Sequence, residues 1–470
     1  MPVVRVFLAT MLLAGVACDL GSARRAGPSR SPRPGPTGSD TRVIGLVATL
    51  SGPQAWRGED AFEGADLGVH VLNRGLGEDE APFELVTLDD TGDATRASTL
   101  ISQLAAFEQT VGIVYAGPPD GLVRAEEALD AAGIPGILCF GDLYSARRLR
   151  PHIFQTSPPL LWQARRLASY LLEDRDYSKI GVLASGTDAG GTAVASLRTA
   201  VDEEGGRTVT AVRYGSEPQR AQVRRLRARR VEAVVLEGTP SALPALQRAL
   251  TAAGALYRTS GGARIASARP PVRARRAGSG YWHPQVAAFD LAIAPGGRPR
   301  RGTVAAEAYS RGAHFLPVRS LRSFHRAFVD WWGAEPTGWE LRAYEAVGLI
   351  GWAAGRAGDG RDLASILERV RRLRFGGLDV TFGPDDHTAV EQTTVGLWVV
   401  PRAGAAPPRR GNRLAWVPLA RGFAIDGDRT DILARDWRYL FRNPPPRRAP
   451  PPRFARMRFA VTTKRSDPVH

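Results

Sequence analysis

VIGLVATLSGPQAWRGED, residues Val43 to Asp60, decides how the chain is read. Val43–Thr49 is an apolar run of strand length, Ser51-Gly52-Pro53 is a tight turn, and helical periodicity begins at Gly58-Glu59-Asp60. Such a run, broken by Gly-Pro and followed by a helix, is the opening unit of an α/β domain. In open α/β sheets, ligands bind outside the carboxyl ends of the strands. The loop from Ser51 to Arg57, with its aromatic Trp56, is therefore the first candidate wall of a binding site.

Downstream of this stretch the same alternation continues. A helix over about Gly58 to Asn73 places Ala61, Ala65, Val69 and Leu72 on one face. Phe83–Asp89 reads as a second strand, and Asp93 as the N-cap of a helix reaching about Phe107. Val111–Tyr115, Gly121–Ala132 and Gly136–Phe140 follow as strand, helix and strand. Strands alternating with helices of this length imply a parallel sheet covered on both faces.

The alternation restarts after Pro151. Ile153–Thr156 is extended and Leu160–Glu173 helical, and three strand–helix pairs follow between Lys179 and Ala253. This second block predicts a second α/β lobe, as expected when a 470-residue chain exceeds the roughly 250–300 residues at which single cores stop growing. Periodicity fades between Arg258 and Gly302, which receives no assignment. Thr303–Tyr309 is a candidate strand, Leu321–Trp332, Trp339–Ala354 and Leu363–Leu373 are helices, and Val395–Val400 closes the folded body.

The flanks have a different composition. A 12-residue apolar run, Val6–Ala17, is too short to span a membrane and suits the core of an export signal over residues 1–17. Small residues before Cys18 resemble a bacterial lipobox, which implies a lipidated Cys18 and a membrane-anchored protein facing the extracytoplasmic side; the alternative is a freely secreted chain. Residues 18–40, rich in Gly, Ser, Pro and Arg, read as a flexible tether. At the other end, residues 401–470 carry 16 basic residues against five Asp, so most of the net charge of +16 lies in this Pro-rich extension. Four aromatics, Trp416, Phe423, Trp437 and Phe441, predict that part of it packs.

The charge does not argue for a nucleic-acid partner. Of the 63 basic residues only Lys179 and Lys464 are lysine, a bias matching a GC-rich genome, and the arginines form no recognisable module. Seven scattered histidines make no metal-binding pair at helical spacing. The chain lacks His-Glu-x-x-His, Cys-x-x-Cys, Gly-x-Ser-x-Gly and a Walker loop. Neither an enzyme nor a cofactor is expected, and nothing calls for more than a monomer.

The ordered residues resemble a known family, the type I solute-binding proteins of the branched-chain amino-acid (leucine/isoleucine/valine) class that serve ABC importers. The resemblance rests on Ile44-Gly45 to Ser51-Gly52-Pro53, Gly58-Glu59, Gly64-Ala65 to Leu72-Asn73, and Asp89-Asp90-Thr91-Gly92-Asp93. It continues through Ala132-Gly133-Ile134-Pro135, Ile153-Phe154-Gln155-Thr156-Ser157-Pro158, Lys179–Leu183, Phe328 to Pro336, Ala343-Tyr344-Glu345-Ala346 and Phe375 to Phe382. It covers roughly Thr41 to Val400. It implies two Rossmann-like lobes joined by three crossover segments, with a small ligand enclosed between them by hinge closure and passed to permease subunits. With crossings near Thr156, Thr303–Ser310 and Phe375–Leu378, lobe one is 41–156 plus 311–375 and lobe two is 157–302 plus 376–400.

The resemblance also implies Ser and Thr side chains on two turns of lobe one that hold an amino-acid ligand. Here those turns read Gly117-Pro118-Pro119-Asp120-Gly121 and Cys139-Phe140-Gly141-Asp142-Leu143-Tyr144, without either residue type. Each candidate keeps two readings. Trp56 lines the cleft or packs in its loop; Asp120 caps a helix or meets ligand; Asp142 and Tyr144 face the cleft or the surface. Glu237, at a strand end, pairs with a cationic ligand group or is a surface or ion-paired carboxylate. Cys139 reads as a buried, inert thiol, and Asp188 as a helix cap. A cleft lined by Trp56, Asp120, Asp142, Tyr144 and Glu237 would favour a cationic or polyhydroxylated ligand over a simple zwitterion. The expected role is therefore capture of a small polar ligand, an amino acid or derivative, for an ABC importer. The alternative is a sensing or degenerate binding module acting through protein contacts.

Overall fold

The computed structural model describes residues 41–77, 82–145, 150–205, 208–239, 241–253, 282, 284–290, 303–307, 319–334, 336, 338–357, 362–376, 380–390, 395–399 and 417–418. The export signal, Cys18, the tether and most of the basic extension, with Trp416, Phe423, Trp437 and Phe441, lie outside the described residues.

Two parallel sheets with the same strand order form the scaffold. In the first, β1 (Arg42–Ala48) lies between β2 (Phe83–Asp89) and β3 (Thr110–Ala116), and β4 (Gly136–Leu138) and β5 (Ile153–Gln155) follow outward. All neighbours are parallel, with Leu46 opposite Thr87 on one side and Val114 on the other. In the second, β6 (Lys179–Ser185) lies between β7 (Thr208–Tyr214) and β8 (Ala233–Leu236), then β9 (Gln285–Phe289) and β10 (Val304–Glu307). Antiparallel β11 (Gly396–Val399) and β12 (Val417–Pro418) extend this sheet. Pro418 cannot donate to a ladder, which confines it to the edge where it is found.

The central strands form because their side chains are apolar on both faces, as a sheet covered by helices on each side demands. In the first lobe a Cβ at Gly45 would meet Leu104 of the helix α2 (Ala94–Ala105). A Cβ at Gly112, on the other face, would meet Ile350 of the helix Gly338–Ala354. Asp93 caps α2 as its sequence predicts, accepting from the Arg96 amide at 2.7 Å. The first helix, α1 (Ala55–Arg74), crosses the helix Gly338–Ala354 at backbone contact, for a Cβ at Gly64 would lie 1.9 Å from the Glu340 carbonyl oxygen.

Several expected boundaries move. α1 starts at Ala55, so Trp56 and Arg57 stand on its first turn and not in a loop. The helix expected over Gly121–Ala132 is two, α3 (Pro119–Arg124) and α4 (Glu126–Ala132), separated at Ala125, whose ψ of 2° leaves the helical region. α5 (Leu160–Ser169) continues as a wider π turn over Tyr170–Asp174. In lobe two α6 (Asp188–Glu203) is capped by Thr187, which accepts from the Gly190 amide, so Asp188 is its first residue and not its cap. α7 (Arg220–Ala228) and α8 (Ala242–Ala252) follow their expected positions. β9 lies within Arg258–Gly302, where the sequence shows no period because Gly, Pro and Arg interrupt its short apolar run.

The remaining helices are α9 (Arg319–Trp332), α10 (Gly338–Ala354) and α11 (Leu363–Leu367). They alter the expected division of the chain. Val380, Phe382 and Ala389 are buried in the first core, and Gln155 pairs with Thr388, so 380–389 belongs with lobe one and not with lobe two. Residues 395–399 then enter the second core through Val395, Leu397 and Trp398. α9 lies at the boundary: Phe324 and Phe328 are buried in the second core, while Trp331 and Trp332 donate to Asp66 and the Glu63 carbonyl of α1.

Candidate functional site

In each sheet the strand order reverses beside the central strand, between β1 and β3 and between β6 and β8. The crevice outside the carboxyl ends at such a reversal is where a doubly wound fold places its ligand. Residues beyond the carboxyl ends of the two sets of strands bond across the lobes, as Arg342 does to Asp290 and the Leu160 amide to Asp142.

From lobe one, β2 ends in the run Asp89-Asp90-Thr91-Gly92-Asp93. Asp90 is fully buried and accepts from Thr49 Oγ1 at 2.8 Å and from the Gly92 amide at 2.7 Å. Burial pushes its carboxyl above the usual range, and those two hydrogen bonds oppose the shift. After β3 the Tyr115 hydroxyl donates to the Pro118 carbonyl at 2.7 Å. A Cβ at Gly117 would lie 1.9 Å from Asp90 Oδ2, so only glycine fits there. The turn that the family resemblance fills with hydroxyls is thus filled by Asp90 and Tyr115. Asp120 is exposed on the first turn of α3 and its side chain makes no cap bond.

The turn after β4 serves the passage between lobes. Asp142 Oδ2 accepts from the Leu160 amide at 2.7 Å and Oδ1 from the Ser145 amide at 3.1 Å, which ties this turn to the start of α5 in lobe two. Burial raises the Asp142 carboxyl and these bonds oppose the rise. Ser145 Oγ also accepts from the Leu161 amide at 2.8 Å, and Gln155 Oε1 accepts from the Leu143 amide at 3.0 Å. The Tyr144 ring rests on Trp162 of α5 at 5.4 Å. Asp142 and Tyr144 are therefore crossing-segment residues. Asp142→Ala would strip the Leu160 amide of its acceptor, and leaving a buried donor unsatisfied costs about 1–3 kcal/mol; a urea midpoint should fall accordingly, with Asp142→Asn recovering part of the loss.

The walls of the seam are aromatic. Phe140 stacks on Trp339 of α10, centroids 5.4 Å apart and planes 13° apart. Trp56 meets both edge-on, at 5.8 Å and 5.6 Å. Cys139, beside Phe140, is buried, and desolvation pushes its thiol up to about 12, which keeps it unreactive.

Charged groups reach the seam from both lobes. Arg342 of α10 is fully buried, lies over the Trp339 ring at 4.1 Å, and donates from Nη2 to Asp290 Oδ2 at 2.8 Å. Asp290 follows β9, and its amide donates to Gln163 of α5 at 2.9 Å. This ion pair joins the lobes. Glu237, after β8, is buried and accepts from the Ser185 amide and Ser185 Oγ, both at 2.9 Å and both on Oε2. The Tyr214 hydroxyl donates to the Glu237 carbonyl at 2.7 Å. Burial raises the Glu237 carboxyl, against the Ser185 bonds and the charges of Arg213 and Arg57.

Arg57, beside Trp56 on α1, is the lobe-one counterpart. Its guanidinium lies over the Trp56 ring at 5.7 Å. Desolvation pulls its pKa down to about 10, opposed by the fields of Asp290, Tyr115, Asp90 and Glu237, and it remains charged at neutral pH. Of the five expected site residues, the structure thus brings Trp56 and Glu237 to the seam, uses Asp142 and Tyr144 at the crossing, and leaves Asp120 exposed. The five residues expected to line one cleft are thus not all gathered in one place, and the carboxyl groups nearest Arg57 are Asp290, Asp90 and Glu237. Arg57, Arg342 and Asp290 were not singled out. Arg57 closes the Ser51–Arg57 stretch marked as the first wall, and Arg342 leaves a trace as a lone arginine within the mostly apolar helix Gly338–Ala354.

Two α/β lobes of matching strand order, with buried charge and aromatic rings converging between their carboxyl edges, define a two-lobed binding protein. The sequence profile of a family described as "Periplasmic binding protein" matches residues 41–404, and the chain belongs to that family. A curated relative, the Leu/Ile/Val-binding protein homolog 3 of Brucella melitensis biotype 1, is 27% identical over 221 residues, 45% of this chain; the match spans 58% of that relative's length. Among solved structures, a periplasmic binding protein type 1 from Bordetella pertussis Tohama I superposes with a TM-score of 0.63 at 20% identity, covering 81% of this chain and all of that one. The branched-chain amino-acid transporter substrate-binding protein of Streptococcus pneumoniae, solved with isoleucine, gives 0.60 at 16% identity, covering 81% of this chain and 99% of that chain. These likenesses are to binding proteins and not to enzymes. Among the described residues, no helix is long and apolar enough to cross a membrane.

Proposed function

We propose that the protein captures a small polar solute, an amino acid or a derivative of one, between its lobes and delivers it to the permease of an ABC importer. The observation that carries this reading is the convergence of Arg57, Trp56, Arg342, Asp290 and Glu237 at the two strand-order reversals, where the fold presents ligands. The relative named for leucine, isoleucine and valine and the structure holding isoleucine support the ligand class. Export through the signal at residues 1–17, with Cys18 as a lipid anchor, would keep the protein beside its permease on the extracytoplasmic side, as a monomer. The test is mass spectrometry of small molecules retained by the purified mature protein, followed by thermal-shift screening of amino acids. A retained amino acid that also raises the Tm is the expected result; no retained molecule and no shift across the panel would refute it.

A further inference from the structure

We infer that the ligand of this seam carries a carboxylate and delivers it to the Arg57 guanidinium. The inference rests on the binding function just proposed and narrows it to one chemical group at one residue. Arg57 feels the field of three carboxyl groups, and each of them already has its own donors. Asp290 takes Nη2 of Arg342, Glu237 takes the Ser185 amide and hydroxyl, and Asp90 takes Thr49 and the Gly92 amide. None of them is ion-paired with Arg57 among the described residues. The Arg57 Nε is buried and has no hydrogen-bond partner there either.

Shutting part of a charged guanidinium off from water without an acceptor, as at the Nε of half-buried Arg57, is a costly arrangement for a fold to keep. Its geometry states what is missing: a planar group with two oxygens, which an arginine fork receives bidentately. The Trp56 indole beneath it, held edge-on by Phe140 and Trp339, offers the adjoining part of the ligand an apolar surface. The position also explains how the site dispenses with hydroxyl-bearing turns. One arginine from α1 would hold by charge the carboxylate that such turns would hold through neutral hydrogen-bond donors.

The experiment is calorimetric titration of the full mature chain with an isosteric set: L-leucine, 4-methylvalerate, isoamylamine and isoamyl alcohol, and in parallel benzoate and benzylamine. Acids are expected to bind and the amine and alcohol of the same skeleton not to. Arg57→Gln should weaken acid binding by roughly 30-fold or more, the scale of truncating one partner of a buried charge pair. Arg57→Lys should recover part of it. In the ligand-free protein Arg57→Gln should leave the Tm unchanged or raise it, the opposite of what loss of a structural contact would do. Acid binding by Arg57→Gln within about threefold of the parent, or binding confined to the amines and alcohol, overturns the carboxylate inference and leaves the binding function standing. If no probe of any charge binds and nothing is retained on purification, the binding function falls and the inference with it.

Discussion

Arg342→Leu is expected to be among the most damaging single substitutions in the folded body, costing about 3–5 kcal/mol, the usual penalty for breaking a buried ion pair by removing one partner. Both groups lie out of water, with the Arg342 side chain fully buried and that of Asp290 4% exposed. The loss should appear in urea unfolding followed by tryptophan fluorescence. Asp290→Asn should cost a comparable amount. The double variant Arg342→Leu/Asp290→Asn should be clearly less harmful than the sum, because it strands neither charge, and an interaction energy of about 0.5–3 kcal/mol in the cycle is the mark of direct coupling. Additive losses would mean that the two groups do not act together. Because the pair spans the seam, the single variants should also widen the solution scattering envelope.

The second large effect belongs to Gly64. A side chain at this position meets main chain of α10, and backbone cannot rotate out of the way as a side-chain tip does. Gly64→Val should therefore destabilise by about 3 kcal/mol or more, at or beyond the upper end of ordinary overpacking. Gly75, at the end of the same helix, offers the control: a Cβ there finds its nearest neighbour at 3.4 Å. Gly75→Ala should change stability by no more than about 0.5 kcal/mol. Equal urea midpoints for the two variants would show that α1 and α10 are not held at backbone contact.

The scaffold was legible because its central strands are runs such as Val43–Thr49 and Val111–Tyr115, whose apolar continuity requires burial on both faces, and because Asp93 marks a helix start by its own chemistry. β9 was not legible, since its four apolar residues, Val286 to Phe289, carry no period of their own. The site was less legible than the scaffold for a physical reason. Arg342 and Asp290 stand 52 residues apart and Asp142 and Leu160 stand 18 apart, so their pairing is set by how the lobes dock and not by any spacing along the chain. A carboxylate on a turn looks the same in sequence whether it faces a ligand or caps the next lobe's first helix. Asp142 does the latter. Glu237 was recognisable because it follows a strand end directly, and Trp56 because it belongs to the connection and first helical turn after β1, where the topology itself points.

If the lobes close around a solute as proposed, the Arg342–Asp290 pair would also bias the equilibrium between open and closed molecules. A ligand shifts such an equilibrium only by its preference for one form. A pair formed only when the lobes meet adds weight to the closed form before any solute arrives, and each 1.4 kcal/mol or so of bias multiplies the ratio of closed to open tenfold. A permease that recognises the closed shape would then be visited by empty carriers as well as loaded ones, and the contrast between them would shrink. The same bias reduces the conformational penalty on binding, so tight affinity and a weak loading signal are two outcomes of one buried contact.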